Sequence, residues 1–425
     1  MALPLILTKL LIRTGLARYL PGVQRLTDGG SDFLHYYSDH VLDAPRRDLR
    51  RIAALLEQLP PDAIDLSLGS PRLELTAPSV PRLLADRRGW PPPWGLPELR
   101  AAVAERLLTD NQVAVSPADE VLITPGAAGA FHTVLDTFVN RGDHVVLFDP
   151  TSPLFPLALR ARRVRIRWLS SQVDDGRLRF RLDELDRALR RARLLVLVQP
   201  GNPGGGFIAP EDLEQIAWWA ERHDVLVYCD ESFGRFHYEG DHVSLGAVGR
   251  ARRRTLTAGS VSKGHALASL RVGWLAGHRH LVRPCLLRAA LGDPFVPTVC
   301  QQLASSALRQ PRDGFDDILG EFSARRRYAF ERLRGVGLKP AWPSGGFYFW
   351  VPVHETGLNG HDFAERLRHE SRVQVTPGDL FGPSGVGHVR VSYATEDGRL
   401  REGLSRMAEF VRGLKGTAAE MKPAA

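Results

Sequence analysis

"RLLVLVQPGNPGGG" (193–206) and "DVLVYCDE" (224–231) frame one unit. Each begins with a short run of Leu and Val and ends in residues that a buried strand does not carry onward. The first stops at Pro200 and a glycine-rich turn holding Asn202; the second stops at Asp230. Runs apolar at successive positions, not alternate ones, are expected of strands covered on both faces. A longer helical pattern lies between them, so the pair reads as strand, crossover helix and parallel strand.

The same alternation extends outward in both directions. "EVLITPG" is followed by the helical "AAGAFHTVLDTFVN", and "DHVVLFDP", "RVRIRWL" and "RTLTAGSVSK" repeat the strand pattern. The sequence predicts an α/β fold with a large domain built on a mainly parallel, seven-stranded sheet. In such sheets ligands sit beyond the carboxyl ends of the strands, and the unusual residues Gly126, Asn202, Asp230 and Lys263 fall at those ends. After Leu308 the pattern changes to a long charged helix, "GGFYFWVPV", a helix, "HVRVSYA" and a terminal helix. The expected division is 1–62 as an N-terminal arm with part of a small domain, 63–307 as the large domain, and 308–425 as the α+β small domain.

Composition narrows the classes. The 425 residues are 44% hydrophobic and 24% charged, ordinary for a folded globular chain. The net charge of +8 raises the question of an acidic partner. The arginines are scattered in short clusters, with no basic tail, zinc-finger pattern or aromatic-rich RNA-binding motif, so no nucleic-acid partner is expected. Cys229, Cys285 and Cys300 are odd in number and lack metal-ligand spacing, which predicts a reducing, cytoplasmic setting and no metal. The apolar start "MALPLILTKLLIRTGLARYL" is interrupted by Lys9, Arg13 and Arg18. That is too short an apolar run to span a bilayer, and no integral membrane segment is expected; an arm packing on a partner subunit fits its spacing better.

Lysine is scarce. Only Lys9, Lys263, Lys339, Lys415 and Lys422 are lysines, against 56 lysines and arginines together. Arginine keeps its proton, whereas a lysine can lose one and form a Schiff base. Lys263 stands in "GSVSKGHALASLR" behind Ser260 and Ser262, with Arg271 eight residues on. Pyridoxal 5'-phosphate (PLP) needs such a lysine and an acidic partner for its ring nitrogen, and Asp230 ends the strand that could supply that acid. "TPGAAGA" offers Gly126, Ala127 and Ala128 as a small-residue turn opening a helix, whose N–H groups can receive a phosphate. Ser260, Ser262 and Arg271 add hydroxyls and a forked cation for the same dianion. Asn202 could donate to the ring hydroxyl, and Arg390 in "HVRVSYA" could clamp a substrate carboxylate. Each element alone has a plainer reading, as a turn, a loop, a cap or a surface charge. Their order and their common placement at strand ends argue for a site.

With those residues in view, the chain resembles the class I/II aminotransferases, fold-type I PLP enzymes related to aspartate aminotransferase. The likeness runs from "IDLSLGSP" at Ile64 to the helix after Arg390, through "WPPPWGLPELR", "GNPGG", "CDESFGRFHYEG", "SVSKGHALASLRVGW", "PSGGFYFW" and "TPGDLFG". The resemblance implies a homodimer with sites at its interface, and amino-acid and 2-keto-acid substrates. It implies Lys263 as the Schiff-base lysine, Asp230 as the ring-nitrogen partner, Asn202 at the ring hydroxyl and Arg390 at the substrate α-carboxylate. It also implies Ser260, Ser262, Arg271 and the backbone after Gly126 as the phosphate cup, and Gly69 as a backbone contact over the substrate.

Three positions depart from the family pattern. Phe233 stands where a tyrosine usually bonds the ring hydroxyl. Ser152 stands where an aromatic usually covers the pyridine face, with Phe155 a candidate replacement. Trp90 aligns with the tyrosine that reaches the partner subunit's phosphate. The expected activity is amino-group transfer between an L-amino acid and a 2-keto acid through the Lys263 aldimine. Elimination, cyclisation or oxidation of an amino acid, or a PLP-binding paralogue without turnover, would use the same constellation.

Overall fold

A computed structural model describes residues 59–67, 90–240, 242–292, 295–310 and 313–420, the side chains at 313–314 and 415–420 excepted. Most of the expected N-terminal arm, and Gly69, lie outside the described residues. In chain order the elements are β1 (Ile64–Asp65), α1 (Pro97–Asn111), β2 (Val121–Thr124), α2 (Gly126–Phe138), β3 (His144–Asp149) and α3 (Leu154–Ala161). Then come β4 (Arg165–Asp174), β5 (Arg177–Phe180), α4 (Leu182–Leu189), β6 (Leu194–Val198), α5 (Pro210–Arg222) and β7 (Leu226–Asp230). These are followed by β8 (Thr255–Ser260), β9 (Gly273–Gly277), α6 (Arg279–Ala290), α7 (Thr298–Leu308) and α8 (Asp313–Gly335). The chain closes with β10 (Tyr348–Pro352), α9 (Gly360–Ser371), β11 (Val373–Gln374), β12 (Thr376–Pro377), β13 (His388–Ser392) and α10 (Asp397–Glu420).

The large sheet has the order β2-β9-β8-β7-β6-β3-β4-β5. Its centre, β8 through β4, is parallel, and β9 and β5 run against it. Among the described residues, the seven expected strands are present and an eighth joins them at the edge. The added edge is β5, which returns from β4 through Asp175 and Gly176, both at positive φ (44° and 69°). That is the backbone of a tight two-residue hairpin, and a polar "DDGR" turn does not announce itself in a parallel-sheet pattern. The apolar runs behave as their composition requires. Strand β6 is buried throughout, sending Leu194, Val196 and Val198 into one core and Leu195 and Leu197 into another on the opposite face. Period-2 alternation makes both faces apolar only when helices cover both.

The second body holds an antiparallel β10-β13-β12 sheet and a parallel β1-β11 pair. Its core joins Phe322, Phe347, Phe349, Val389, Val391 and Leu404 to Ile64 and Leu66. The residues just after the expected boundary at 63 thus pack with the C-terminal layers, because β1 finds its hydrogen-bond partner in β11. Among the described residues, no helix is long and apolar enough to cross a membrane, and no cluster of His, Cys, Asp and Glu could hold a metal ion.

Candidate active site

The parallel strands deliver their ends to one cleft. Strand β2 ends at Thr124, and Gly126 opens α2 with φ +71°. No side chain caps the first turn of this helix, so its leading N–H groups are available to an anion. A methyl group at Gly126 would stand 2.6 Å from the Arg271 guanidinium, which places that cation at the mouth of α2. Arg271 itself sits in the left-handed region (φ 53°), and Nη1 donates to the Ala268 carbonyl at 3.0 Å. Across β9, a methyl at Gly273 would lie 2.4 Å from the Gly126 carbonyl carbon. The turn and the strand touch backbone to backbone, which only glycine permits. Tyr228 on β7 donates to the Ala127 carbonyl at 3.1 Å and ties the strand to the helix start. Ser260, ending β8, and Ser262 beyond it are both buried.

Asp230 ends β7, paired in register with Val198 on β6 and Ala258 on β8. Burial raises its carboxyl pKa, opposed by the Ser232 contact and the nearby Lys263 charge and reinforced by Glu231. Oδ1 accepts the Ser232 N–H at 2.9 Å, and the Ser232 hydroxyl is buried without a partner among the described residues. Lys263 follows β8. Burial, with Arg390 and Arg271 near it, lowers its amine to about 8, against the opposing pull of Asp230. Its Nζ lies 5.7 Å from the Phe233 ring, which packs in turn on Phe347 and Tyr348. Asp230 and Lys263 therefore face one space, with a phenyl ring where the family pattern places a phenol.

Behind Asp230 sits a second carboxylate that sequence reasoning did not single out. Burial pushes Glu231 upward, but donors bring it below the ordinary carboxylate value: His242 at 3.1 Å, Ser244 at 2.5 Å and Cys229 at 3.2 Å. Asn111 donates to it as well. Adjacent strand positions point to opposite faces, so Glu231 anchors the strand end from behind while Asp230 faces the cleft.

Arg390, on β13, closes the cleft from the small-sheet side. Nη1 donates to Asn202 Oδ1 at 3.0 Å, and Nη2 donates to the Ser67 carbonyl at 3.0 Å and to Thr376 Oγ1 at 3.4 Å. The guanidinium lies 4.0 Å from the Tyr348 ring centre and 5.0 Å from that of Phe381. It is buried, burial lowers its pKa, and no carboxylate forms an ion pair with it among the described residues. A desolvated cation bonded only to neutral acceptors is suited to an incoming anion. Ser67, Tyr348 and Thr376 are thus parts of the clamp that the sequence reading missed; all three lie inside quoted landmarks, yet nothing in their spacing singled them out.

Other expected residues lie elsewhere. Ser152 follows β3 and is half-buried. Phe155 is fully buried against Phe131 and Tyr228, and so cannot offer a face to the cleft in place of the missing aromatic. Trp90 is 85% exposed and pairs with Phe295, on the outer surface of this chain. His265, two residues beyond Lys263 and not among the expected site residues, is packed: Nε2 meets Arg235 at 3.1 Å, and burial with Arg235 lowers it to about 3, so it is neutral.

The arrangement fits a phosphorylated pyridine aldehyde. An uncapped helix start with Arg271 across its mouth could receive the phosphate, Asp230 could meet a ring nitrogen, and a lysine with a lowered pKa could meet the aldehyde. The model of the family "Aminotransferase class I and II" matches residues 64–407. An aspartate aminotransferase of Pyrococcus abyssi is 31% identical over 76% of this chain and 84% of its own length. The arginine–pyruvate transaminase AruH of Pseudomonas aeruginosa is 30% identical, covering 83% of this chain and 91% of that protein. The crystal structure of an aromatic aminotransferase from Pyrococcus horikoshii superimposes with a TM-score of 0.78 at 29% identity, over 86% of this chain and 99% of the other. The chain belongs to the class I and II aminotransferases.

Proposed function

We propose that this chain transfers the amino group of an L-amino acid to a 2-keto acid with pyridoxal 5'-phosphate as its resident cofactor. The observation that carries the reading is the meeting, in one cleft, of a deprotonatable lysine, a buried aspartate and a buried arginine with no carboxylate partner among the described residues. When bound, the cofactor supplies an aldehyde for the amino group and a ring that draws electrons from the α-carbon.

The remaining work falls to the chain. Arg390 grips the substrate α-carboxylate with two parallel N–H groups, and Asn202, already bonded to it, fixes the plane of the guanidinium. Asp230, as a carboxylate, holds a proton at the ring nitrogen: the cationic ring N–H would supply the opposite charge that its desolvated carboxyl favours. Lys263 is neutral in an appreciable fraction near pH 8, so Nζ can take the α-proton and return it at the adjacent carbon. The backbone after Gly126, with Ser260, Ser262 and Arg271, anchors the phosphate. Phe233 presents an apolar edge to Lys263 and offers no hydroxyl to the ring oxygen.

The names of the relatives divide over side chain, covering aspartate, arginine with pyruvate, and aromatic amino acids. What those amino acids share, an α-amino and an α-carboxylate group, is what Lys263 and Arg390 address. Two further readings accompany this one. A homodimer is supported by Trp90, Leu287 and Leu291, large apolar residues left exposed, with Phe295 beside Trp90. A reducing, cytoplasmic setting is supported by three free cysteines. Light scattering on the purified chain tests the dimer: a monomeric mass removes it.

The activity is tested by spectroscopy on the PLP-loaded protein. Adding amino acid alone should replace the cofactor's visible band by a near-ultraviolet one, and keto acid should restore it. Released ammonia with a persistent visible band would overturn transfer in favour of elimination, and no visible band at all would overturn cofactor binding.

A further inference from the structure

The small-sheet body carries Arg390, whereas the cofactor cradle belongs to the large sheet, so something must fix one against the other. The junction between them is not filled by side chains throughout. Pro150, Thr151, Asn202, Trp350, Ser384 and His388 line part of a cavity of about 300 Å³ between the two bodies. Polar ties stand at its margins. One is the bond from Arg390 to Asn202. The other is at the end of β3, where both Asp149 carboxylate oxygens accept the Ser384 N–H (3.2 and 3.1 Å) and Oδ1 also accepts the Ser384 hydroxyl at 2.8 Å. Two residues on, the Thr151 N–H donates to the Phe381 carbonyl at 2.9 Å.

Several features show this contact to be built. Asp149 is buried, and its own carbonyl accepts the Ser171 hydroxyl at 3.0 Å, which fixes the strand end. Gly382 has φ +141°, and a methyl there would lie 2.3 Å from Asp149 Oδ1; the loop comes this close only because it has no side chain at that point. Burial raises the Asp149 pKa and the Ser384 contacts oppose the rise. The loop it grips leads somewhere specific. Phe381, adjoining Gly382, lies 5.0 Å from the Arg390 guanidinium and packs on Trp350 at 5.3 Å, and the loop runs directly into β13.

We propose that Asp149 is a positioning residue for substrate binding: it ties the Phe381–Ser384 loop to the end of β3 and so sets the place of Arg390 relative to the cofactor cradle. Asp149 then holds the opposite body at the distance that brings a carboxylate and an amino group into register. A cavity lies beside the tie, so on this side of the junction the placement of the loop rests on the Asp149 bonds together with the Thr151 bond to Phe381.

This inference rests on Arg390 being the carboxylate clamp, and a double-mutant cycle separates the two claims. Asp149→Asn puts an amide N–H₂ against one of the Ser384 donors, and Arg390→Ala removes the clamp. With the PLP-loaded protein, the amino-donor half-reaction is followed at saturating and limiting substrate, and PLP affinity is measured separately. Asp149→Asn should raise the apparent Kd for the amino acid about tenfold, the size of one lost charge-assisted hydrogen bond, with a smaller change in the limiting rate and in PLP affinity. In the Arg390→Ala background the same substitution should change little. An equal effect in both backgrounds overturns the positioning role while leaving the clamp intact. If Arg390→Ala itself leaves donor binding unchanged, the clamp reading fails first. Should Asp149→Asn not fold, Ser384→Ala removes only the hydroxyl donor and should shift the same Kd in the same direction by about threefold, less than a full bond; no shift overturns the proposal.

Discussion

Around Lys263, the residues of the cradle stand at or just beyond the carboxyl ends of parallel strands in a single sheet, or, for Arg271, just before the amino end of the antiparallel β9. Around Arg390, the bonded partners come from separate stretches: Ser67 is 323 residues away, Asn202 188 and Thr376 14. The two regions also balance charge differently. Lys263 has the buried Asp230 pulling against its desolvation, whereas Arg390 is hydrogen-bonded to neutral acceptors and packed on aromatic faces, with Tyr348 and the more remote Asp65 carboxylate opposing its desolvation. A site made from one sheet can be rigid by itself. A clamp assembled across two bodies is only as well placed as the ties between them, and its desolvated charge gains a direct partner when a carboxylate arrives.

The largest test of this contrast is Lys263→Met. Turnover should fall by about 10⁴-fold or more, since general-base and covalent roles are lost together; retained turnover would end the mechanism. The apoprotein should become more stable at pH 7. The folded-state pKa lies below the unfolded one, so protonated Lys263 costs stability in full below about 8, and the cost fades as the pH rises toward 10.5. That cost is on the order of 3 kcal/mol, so calorimetry of wild type and variant at pH 7 and pH 10 should show the gap narrowing.

Arg390→Ala should weaken amino-acid binding about 100-fold, the scale of a truncated buried charge contact, while PLP binding changes little. Loss of PLP binding instead would mean that the two regions are not separable. A smaller effect is expected at the helix mouth. Gly126→Ala places a side chain at φ +71° and 2.6 Å from Arg271, a strain of about 1–3 kcal/mol. Phosphate anchorage should loosen, and the PLP dissociation constant should rise about tenfold; unchanged affinity would move the phosphate elsewhere. The mildest test needs no mutation. Only the neutral amine attacks an aldehyde, so the rate at which apoprotein captures PLP should climb with pH through about 8 and level above it. A midpoint near the 10.5 of an ordinary lysine would show that the desolvation around Lys263 is not felt by the reacting amine.

Legibility followed the same division. Lys263, Asp230, Asn202 and the Gly126 turn announced themselves because each interrupts or ends an apolar run with a residue that a buried strand would not choose. Glu231 was passed over because a carboxylate next to a strand-end aspartate looks like a turn pair; its four donors, drawn from residues 111 to 244, appear only on folding. The strand β5 was missed because its residues alternate, as an exposed edge must, and do not run apolar.

By itself the sequence determined the strand–helix alternation, the two-faced burial of the central strands and the identity of the reacting groups, because those depend on local periodicity and on side-chain chemistry. Tertiary structure alone decided that Ser67, Tyr348 and Thr376 surround Arg390, that Phe155 is committed to the core and that Asp149 grips Ser384 across the junction. Those are contacts between segments far apart in the chain, and no local pattern encodes a distance that exists only once two separate cores have packed against each other.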